Sequence, residues 1–283
     1  MTPTYVEELQ TFYIDLPLAP NGTVTEFLDA AGLPSEKSAL HLIHDVLGAI
    51  NQLEGLGILH CDVKPDNLLV GANKEIILTD FSNSLPLGDP NVGYCHGTPG
   101  YAAPEMIAKS LDAVRDIIDA KYRRLRSTPI DARSDVWSLG MTIVMMPCEN
   151  HPYMPPDQIF TTDPSYFSNL LGHLLNFLDL PFFMPASKCE VGEDLAGVLK
   201  LMFMHIERRA TPRHLLQLPR LHDEANHSTS PSIKSISMKM HRCKVHALTR
   251  QNRLMHRRIN RLKQKRVDQQ QKAPLQLEHH LSH

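Results

Sequence analysis

The chain has 283 residues, 42% of them hydrophobic and 21% charged, with a single Trp; this suits one large globular domain or two modest ones and excludes disorder throughout. Its 29 Lys and Arg against 31 Asp and Glu give a formal net charge of -2, which at face value excludes a dedicated nucleic-acid or membrane-surface protein. The balance is uneven, because residues 234–272 hold 13 Lys and Arg with Asp268 as the one acid, while residues 1–233 hold 16 basic and 29 acidic side chains. An acidic body therefore carries a basic tail.

Cys61, Cys95, Cys148, Cys189 and Cys243 are odd in number and never form C-x-x-C, so neither a disulfide framework nor a zinc site is signalled, and an intracellular setting, cytoplasmic and/or nuclear, is expected. No basic segment followed by an apolar one opens the chain, and no apolar run reaches the roughly 18 residues of a membrane span.

In chain order, Tyr13-Ile14-Asp15-Leu16 reads as a strand end, followed by a Pro/Gly-rich connector over 17–22. Thr23 with Glu26 three residues on has capping-box form, and Gly32 and Pro34 stop the short helix it starts. Leu40, Ile43, Leu47 and Ile50, flanked by Val46 and Leu53, recur at helical spacing until Gly55 and Gly57. Two apolar runs, 67–70 and 76–79, separated by Gly71, Asn73 and Lys74, predict a small hairpin. Residues 82–101, rich in Ser, Gly, Pro and Asn, read as a functional loop too polar and broken for a core element. Ser138 to Met146 is apolar nearly all round, as a helix buried on every side should be, with Pro147 as its stop. Leu195, Val198, Leu199, Met202, Phe203 and Ile206 predict one further apolar helix face. A polar linker over 221–233 leads into the tail.

The most informative stretch is His60-Cys61-Asp62-Val63-Lys64-Pro65-Asp66-Asn67, followed by Asp80-Phe81-Ser82. A helix, a loop bearing Asp, Lys and Asn, a hairpin, and then Asp at a strand end place three oxygen ligands and a cation around one cleft. Two carboxylates and an amide oxygen suit a hard cation such as Mg2+, which takes phosphate oxygens as further ligands. A lysine two residues from a candidate base can neutralise charge on a transferring phosphoryl group.

These residues resemble the eukaryotic protein kinase family. Gly97-Thr98-Pro99-Gly100-Tyr101-Ala102-Ala103-Pro104-Glu105 is similar to the end of an activation segment with its A-P-E element. Asp135-Val136-Trp137-Ser138-Leu139-Gly140 resembles the start of the family's buried helix, and Arg209-Ala210-Thr211 with Leu215-Leu216 its closing motif. The resemblance implies Asp62 as the base that accepts or orients a substrate hydroxyl proton, Lys64 at the phosphoryl group, and Asn67 and Asp80 as Mg2+ ligands. It implies Thr98 at the acceptor site of the serine/threonine branch, and Leu16 at the gatekeeper position, with Ala19 in the hinge and Leu69 under the adenine of ATP. His60 and Phe81 belong to a packed spine, and Glu105 pairs with Arg209. Asp135 opens the buried helix.

The sequence also departs from the family. Nothing before the hinge resembles a Gly-rich loop, a V-A-I-K-type lysine or its helix glutamate. The expected fold is mainly α with a small β-hairpin: a kinase-like C-lobe (α+β), a truncated N-lobe, and a helical or disordered basic tail. Its divisions are a residual small-lobe strand and hinge over 1–22, the C-lobe over 23–220 with an insert at 108–130, the linker 221–233, and the tail 234–283. Cys61 stands where the family commonly has Arg and reads as an inert buried thiol. Ser82 stands where D-F-G has Gly, at a cost in backbone freedom. His41 and His44 read as satisfied structural histidines. A helix is expected over 111–126.

The expected function is a serine/threonine protein kinase, or its large-lobe portion, that uses ATP and Mg2+ on protein hydroxyls. A separate small lobe or activator is an implied partner. The alternative is a catalytically inactive, pseudokinase interaction protein acting through the C-lobe and tail. Residues 234–272 would suit nucleic acid, an acidic protein surface or an import receptor, or form a solvated tail touching the acidic body. No membrane partner is expected.

Overall fold

The computed structural model describes the strand backbones at 4–6 and 11–13, and residues 18–89, 97–110, 124–125, 127–146, 169–174 and 192–221. Leu16, residues 14–15, the loop 90–96, most of the expected insert helix, Pro147, and the linker and basic tail lie outside these described residues. The chain divides into two compact units, Leu18–Ser230 and one made of Met1–Pro17 with Pro231–His283. In the latter, β1 (Thr4–Val6) and β2 (Thr11–Tyr13) pair antiparallel, with Thr4 opposite Tyr13.

The larger unit begins with α1 (Val24–Ala31). Its capping box is complete: the Glu26 backbone N–H donates to Thr23 Oγ1 at 3.1 Å, and the Thr23 N–H donates to Glu26 Oε2 at 2.8 Å. Two of the orphan donors at the helix start are satisfied in this way. The long helix α2 (Glu36–Gly55) starts at Ser35 and buries Leu40, Ile43, Val46, Leu47 and Ile50 along one stripe, as the 3.6-residue period requires. On its other side Asp45 accepts the Ile76 N–H at 3.0 Å and sits 3.5 Å from both His41 and His44, which gives those histidines a structural partner.

The expected hairpin forms as β4 (Leu68–Val70) and β5 (Ile76–Leu78), with Leu69 opposite Ile77. The polar stretch after it departs from the loop reading: β6 (Leu85–Pro86) pairs with β3 (Ile58–Leu59), and Leu85 is buried. A two-residue strand carries no periodicity for a sequence pattern to register, and only the partner across the loop creates it.

The segment Pro104–Ser110 forms α3, and α4 (Ala132–Met145) starts six residues earlier than its apolar run, at the N-cap Asp131, whose carboxylate accepts the Arg133 N–H. Helix α4 is buried from Ser134 through Val144. Its hydroxyls satisfy themselves one turn back, Ser138 to the Ser134 carbonyl at 3.2 Å and Thr142 to the Ser138 carbonyl at 2.9 Å. At Gly140 a Cβ would come to 3.0 Å from the Phe203 ring, so the glycine admits an aromatic that also meets Trp137 edge-on, with centroids 5.1 Å apart. Helix α5 (Glu193–Met202) ends before Phe203 and Ile206, which stay buried beyond its end; these two belong to the core but not to the helix face the spacing predicts. The short α6 (Pro212–Leu216) is capped by Thr211, and the described chain runs on to the buried Leu221. Helix α2 packs on α4 and α6, and α4 on α5.

Deep in this helical body Glu105 and Arg209 form a two-pronged ion pair, 2.7 and 3.1 Å, with both side chains wholly buried. Ser134 donates to the same carboxylate at 2.8 Å. Arg209 also donates to the carbonyls of Met204 and Arg133 and lies over the Trp137 ring at 4.9 Å. Four of the five guanidinium donors and both carboxylate oxygens of the pair are thus matched, which a buried ion pair needs if it is not to destabilise. Burial alone would raise the Glu105 carboxyl, but Arg209 outweighs it and holds it below its ordinary value of 4.5.

Glu105→Ala should cost about 3–5 kcal/mol, because it strands a buried guanidinium, measurable as a fall in the urea midpoint. The sign of the pH dependence follows from the depressed carboxyl: the pair's contribution is complete above 4.5 and is lost as pH falls through the lower folded value. In acid titrations monitored by circular dichroism, Glu105→Gln should therefore show a weaker loss of stability below pH 4.5 than the parent.

Candidate active site

The loop after β3 is held by α4. Asp135, buried in the first turn of that helix, accepts the backbone N–H of His60 on Oδ2 and of Cys61 on Oδ1, each at 2.8 Å. Burial pushes the Asp135 carboxyl up, opposed by His60 and by these two N–H groups. Cys61 takes φ of +66°, a left-handed conformation that costs a non-glycine residue about 1–2 kcal/mol, and the paired N–H bonds to Asp135 offset that cost. Its thiol is buried. Gly97 packs so closely that a Cβ would collide with the Cys61 carbonyl, which brings the segment after residue 96 directly onto the loop.

His60 anchors the other side. Its Nε2 lies 2.9 Å from the Thr79 carbonyl, its Nδ1 accepts the Asp62 N–H at 3.3 Å, and its ring meets Phe81 edge-on at 5.1 Å. The Thr79 N–H donates to the Asn67 carbonyl at 2.9 Å, so the strand end before Asp80 is stitched to the loop at Asn67. His60 and Phe81 therefore pack against one another.

Asp62 is the convergence point. Its Oδ1 accepts the Thr98 N–H at 2.8 Å, and its Oδ2 accepts Lys64 Nζ at 3.0 Å, Asn67 Nδ2 at 3.1 Å and Asn83 Nδ2 at 3.1 Å. Lys64 Nζ also donates to Thr98 Oγ1 at 2.7 Å, and Asn67 Nδ2 to the Asp62 carbonyl at 2.8 Å. Burial by itself would raise the Asp62 carboxyl, but Lys64 and Thr98 together hold it below its ordinary value. Nearby, burial and the negative charges of Asp66 and Asp62 push the Tyr101 hydroxyl up to about 12. Asp62 is an ionised carboxylate held in one orientation, with a cation and a hydroxyl within 3.0 Å of one another at its edge.

Asp80 takes φ of +57° and its Oδ1 accepts the Ser82 N–H at 3.2 Å, opening a 3-10 turn over Phe81–Asn83. The left-handed residue is Asp80 itself, whose short side chain tolerates that region; Ser82 is not among the described residues with positive φ, so the glycine freedom the family pattern has there is not used. Asn67 commits its amide nitrogen to Asp62, which leaves the side-chain oxygen as acceptor. Asn67 and Asp80 carry oxygens of the hard kind that Mg2+ takes with waters and phosphates, on segments that the Thr79 N–H bond to the Asn67 carbonyl links.

Of the expected nucleotide-side residues, Ala19 and Leu69 are joined through the backbone. Leu69 is half-buried in β4 and bridges Thr23, while the Gly22 carbonyl accepts the Val70 N–H at 2.9 Å and Asn21 donates to the Val70 carbonyl at 3.3 Å. Ala19, half-buried, accepts the Gly22 N–H at 3.3 Å. The Ala19 segment is thereby strapped to the Leu69 strand by backbone bonds.

The sequence reading missed Asn83. No motif marks an amide three residues beyond Asp80, and only the 3-10 turn carries it back to Asp62.

Asp135→Ala should unsatisfy two buried N–H groups, about 1–3 kcal/mol each, lowering the thermal midpoint. Amide exchange should quicken first at His60 and Cys61.

Residues 3–219 match the family described as protein kinase domain. Over 174 residues, 60% of this chain and 44% of the relative, the sequence is 32% identical to calcium/calmodulin-dependent protein kinase type 1B of Rattus norvegicus. It is 27% identical over 226 residues, 77% of the chain and 57% of the relative, to calcium/calmodulin-dependent protein kinase type 1 of Macrobrachium nipponense. It is 25% identical over 229 residues, 80% of the chain and 68% of the relative, to myosin light chain kinase A of Dictyostelium discoideum. The chain thus spans about half the length of the first two. Among the described residues no helix is long and apolar enough to cross a membrane. With the family match running over most of its length and its motifs gathered around one ionised aspartate, the chain belongs to the protein kinase family.

Proposed function

We propose that this chain is the large-lobe portion of a serine/threonine protein kinase that transfers the γ-phosphoryl group of ATP to a protein hydroxyl. The observation that supports this most directly is the convergence on Asp62 of Lys64, Asn67 and Thr98, drawn from segments more than 30 residues apart. Asp62 orients the acceptor hydroxyl and takes its proton as the new O–P bond forms and the bond to the leaving β-phosphate oxygen breaks, releasing ADP. Lys64, already bridging Asp62 and the Thr98 hydroxyl, offsets negative charge on the phosphoryl group in flight. Thr98 lines the acceptor side. Asn67 and Asp80 would hold Mg2+, which supplies neutralisation of phosphate charge.

On the nucleotide side, the Ala19 segment and Leu69 would face adenine, with Leu16 at the gatekeeper position. Residues 1–22 carry no Gly-rich loop or anchoring lysine; a small lobe or activator would complete the phosphate site. The basic stretch 234–272 offers a second contact to an acidic partner or nucleic acid.

Asp62→Ala should lower Mg2+-dependent phosphate incorporation from radiolabelled ATP by about 100- to 10,000-fold, and the same loss in the near-isosteric Asp62→Asn separates it from the fall in thermal midpoint that four released donors cause. Asp80→Ala should remove the Mg2+ dependence of nucleotide binding, read by calorimetry. If the parent chain neither binds ATP nor transfers phosphate, even with a small lobe supplied, the kinase reading fails. An inactive interaction protein would then remain, and deletion of 234–283 should abolish its partner binding.

A further inference from the structure

A carboxylate offers about four acceptor positions, two on each oxygen, and on Asp62 the Thr98 N–H takes one on Oδ1, while Lys64, Asn67 and Asn83 crowd both of those on Oδ2. An acceptor hydroxyl must donate to this carboxylate if Asp62 is to take its proton. For a hydroxyl that enters on Oδ2, the oxygen that Lys64 also contacts, one of the donors has to leave first. Three of them are held by a second bond or by the backbone: Lys64 also donates to Thr98 Oγ1 at 2.7 Å, Asn67 also donates to the Asp62 carbonyl at 2.8 Å, and Thr98 uses its main-chain N–H. Asn83 is held otherwise. Its amide makes one side-chain bond among the described residues, at 3.1 Å. It sits half-buried at the end of the Phe81–Asn83 turn, in which no residue is fully buried, with exposed Ser82 before it.

We infer that Asn83 is a positioning residue for Asp62: its amide fills the place on Oδ2 that the incoming hydroxyl takes, and it steps aside when the acceptor docks. The inference rests on the proposed role of Asp62 and adds to it a self-occupied resting state. In that state the carboxylate keeps its orientation and water is denied the same place, so the waiting enzyme is shielded from wasteful transfer to water. Like any internal competitor, the amide weakens the apparent affinity for the acceptor.

The test uses the full chain in two measurements. In 15N-labelled protein the Asn83 side-chain amide is assigned by its absence from Asn83→Leu, and its protons should exchange with water about tenfold more slowly than those of exposed asparagines, the scale of one hydrogen bond to a charged group. That protection should vanish in Asp62→Ala. With a serine-centred degenerate peptide pool as acceptor, Asn83→Ala should lower KM about two- to tenfold, the scale of one displaced hydrogen bond, while kcat changes less. Hydrolysis of ATP without peptide should rise in the same variant. Free exchange of the Asn83 amide overturns the inference, and so does a fall in kcat with KM unmoved. If neither parent nor variant transfers phosphate, the proposed activity fails, and amide exchange alone then decides whether Asn83 holds this place.

Discussion

The grip of Asp135 on the backbone of His60 and Cys61 is the contact on which the site depends. One buried carboxylate takes two successive N–H groups at 2.8 Å, and this tethers a left-handed residue, Cys61, to the first turn of a helix that is buried nearly all round. Two successive N–H groups point the same way only when the chain between them is bent, and the bend sets the direction in which Asp62 leaves the loop. Because α4 sits inside the helical body between α2 and α5, the loop inherits the rigidity of the core. Active-site residues on loops reach usable precision by this kind of attachment to a scaffold element.

The same core is locked from below by Glu105 and Arg209. Their bidentate bond joins α3 to the segment before α6, and the additional bonds to Ser134 and the Arg133 carbonyl bring the start of α4 into the same cluster. The N-terminal turn of α4 is therefore gripped on one side by this cluster, through Ser134, while the next residue, Asp135, grips the loop on the other. Two adjacent polar residues on one buried turn thus divide the tasks of closing the lobe and aiming the site. Their burial makes each unmatched partner expensive, and this enforces a single arrangement.

Around Asp62 the electrostatics are nearly closed. Lys64 brings a positive charge, and Thr98, Asn67 and Asn83 bring oriented dipoles. Such a preorganised shell keeps the carboxylate ionised and directional in a site that burial would otherwise push toward the neutral form. The shell is uneven, with three donors on Oδ2 and the Thr98 N–H on Oδ1.

Much of this was legible from the residues alone. The capping box at Thr23 and Glu26, the stripe on α2 and the 68–78 hairpin are local features whose hydrogen bonds and periodicity span a few neighbours, so sequence determines them. The ordered fragments around Asp62, Asp80, Gly97 to Glu105, Asp135 and Arg209 are likewise carried in the sequence, and they name the family. What only the tertiary structure decided lies between distant segments. Leu85 becomes a core strand residue because Leu59 faces it, Phe203 and Ile206 enter the core beyond the end of their helix, the left-handed turn falls at Asp80 with Ser82 left in ordinary geometry, and Asn83 reaches Asp62. Sequence spacing encodes which faces are apolar and which groups cap a helix. It does not encode the partner of a lone amide or a two-residue strand, because such a contact gains its free energy only after the remainder of the core has brought the two groups together.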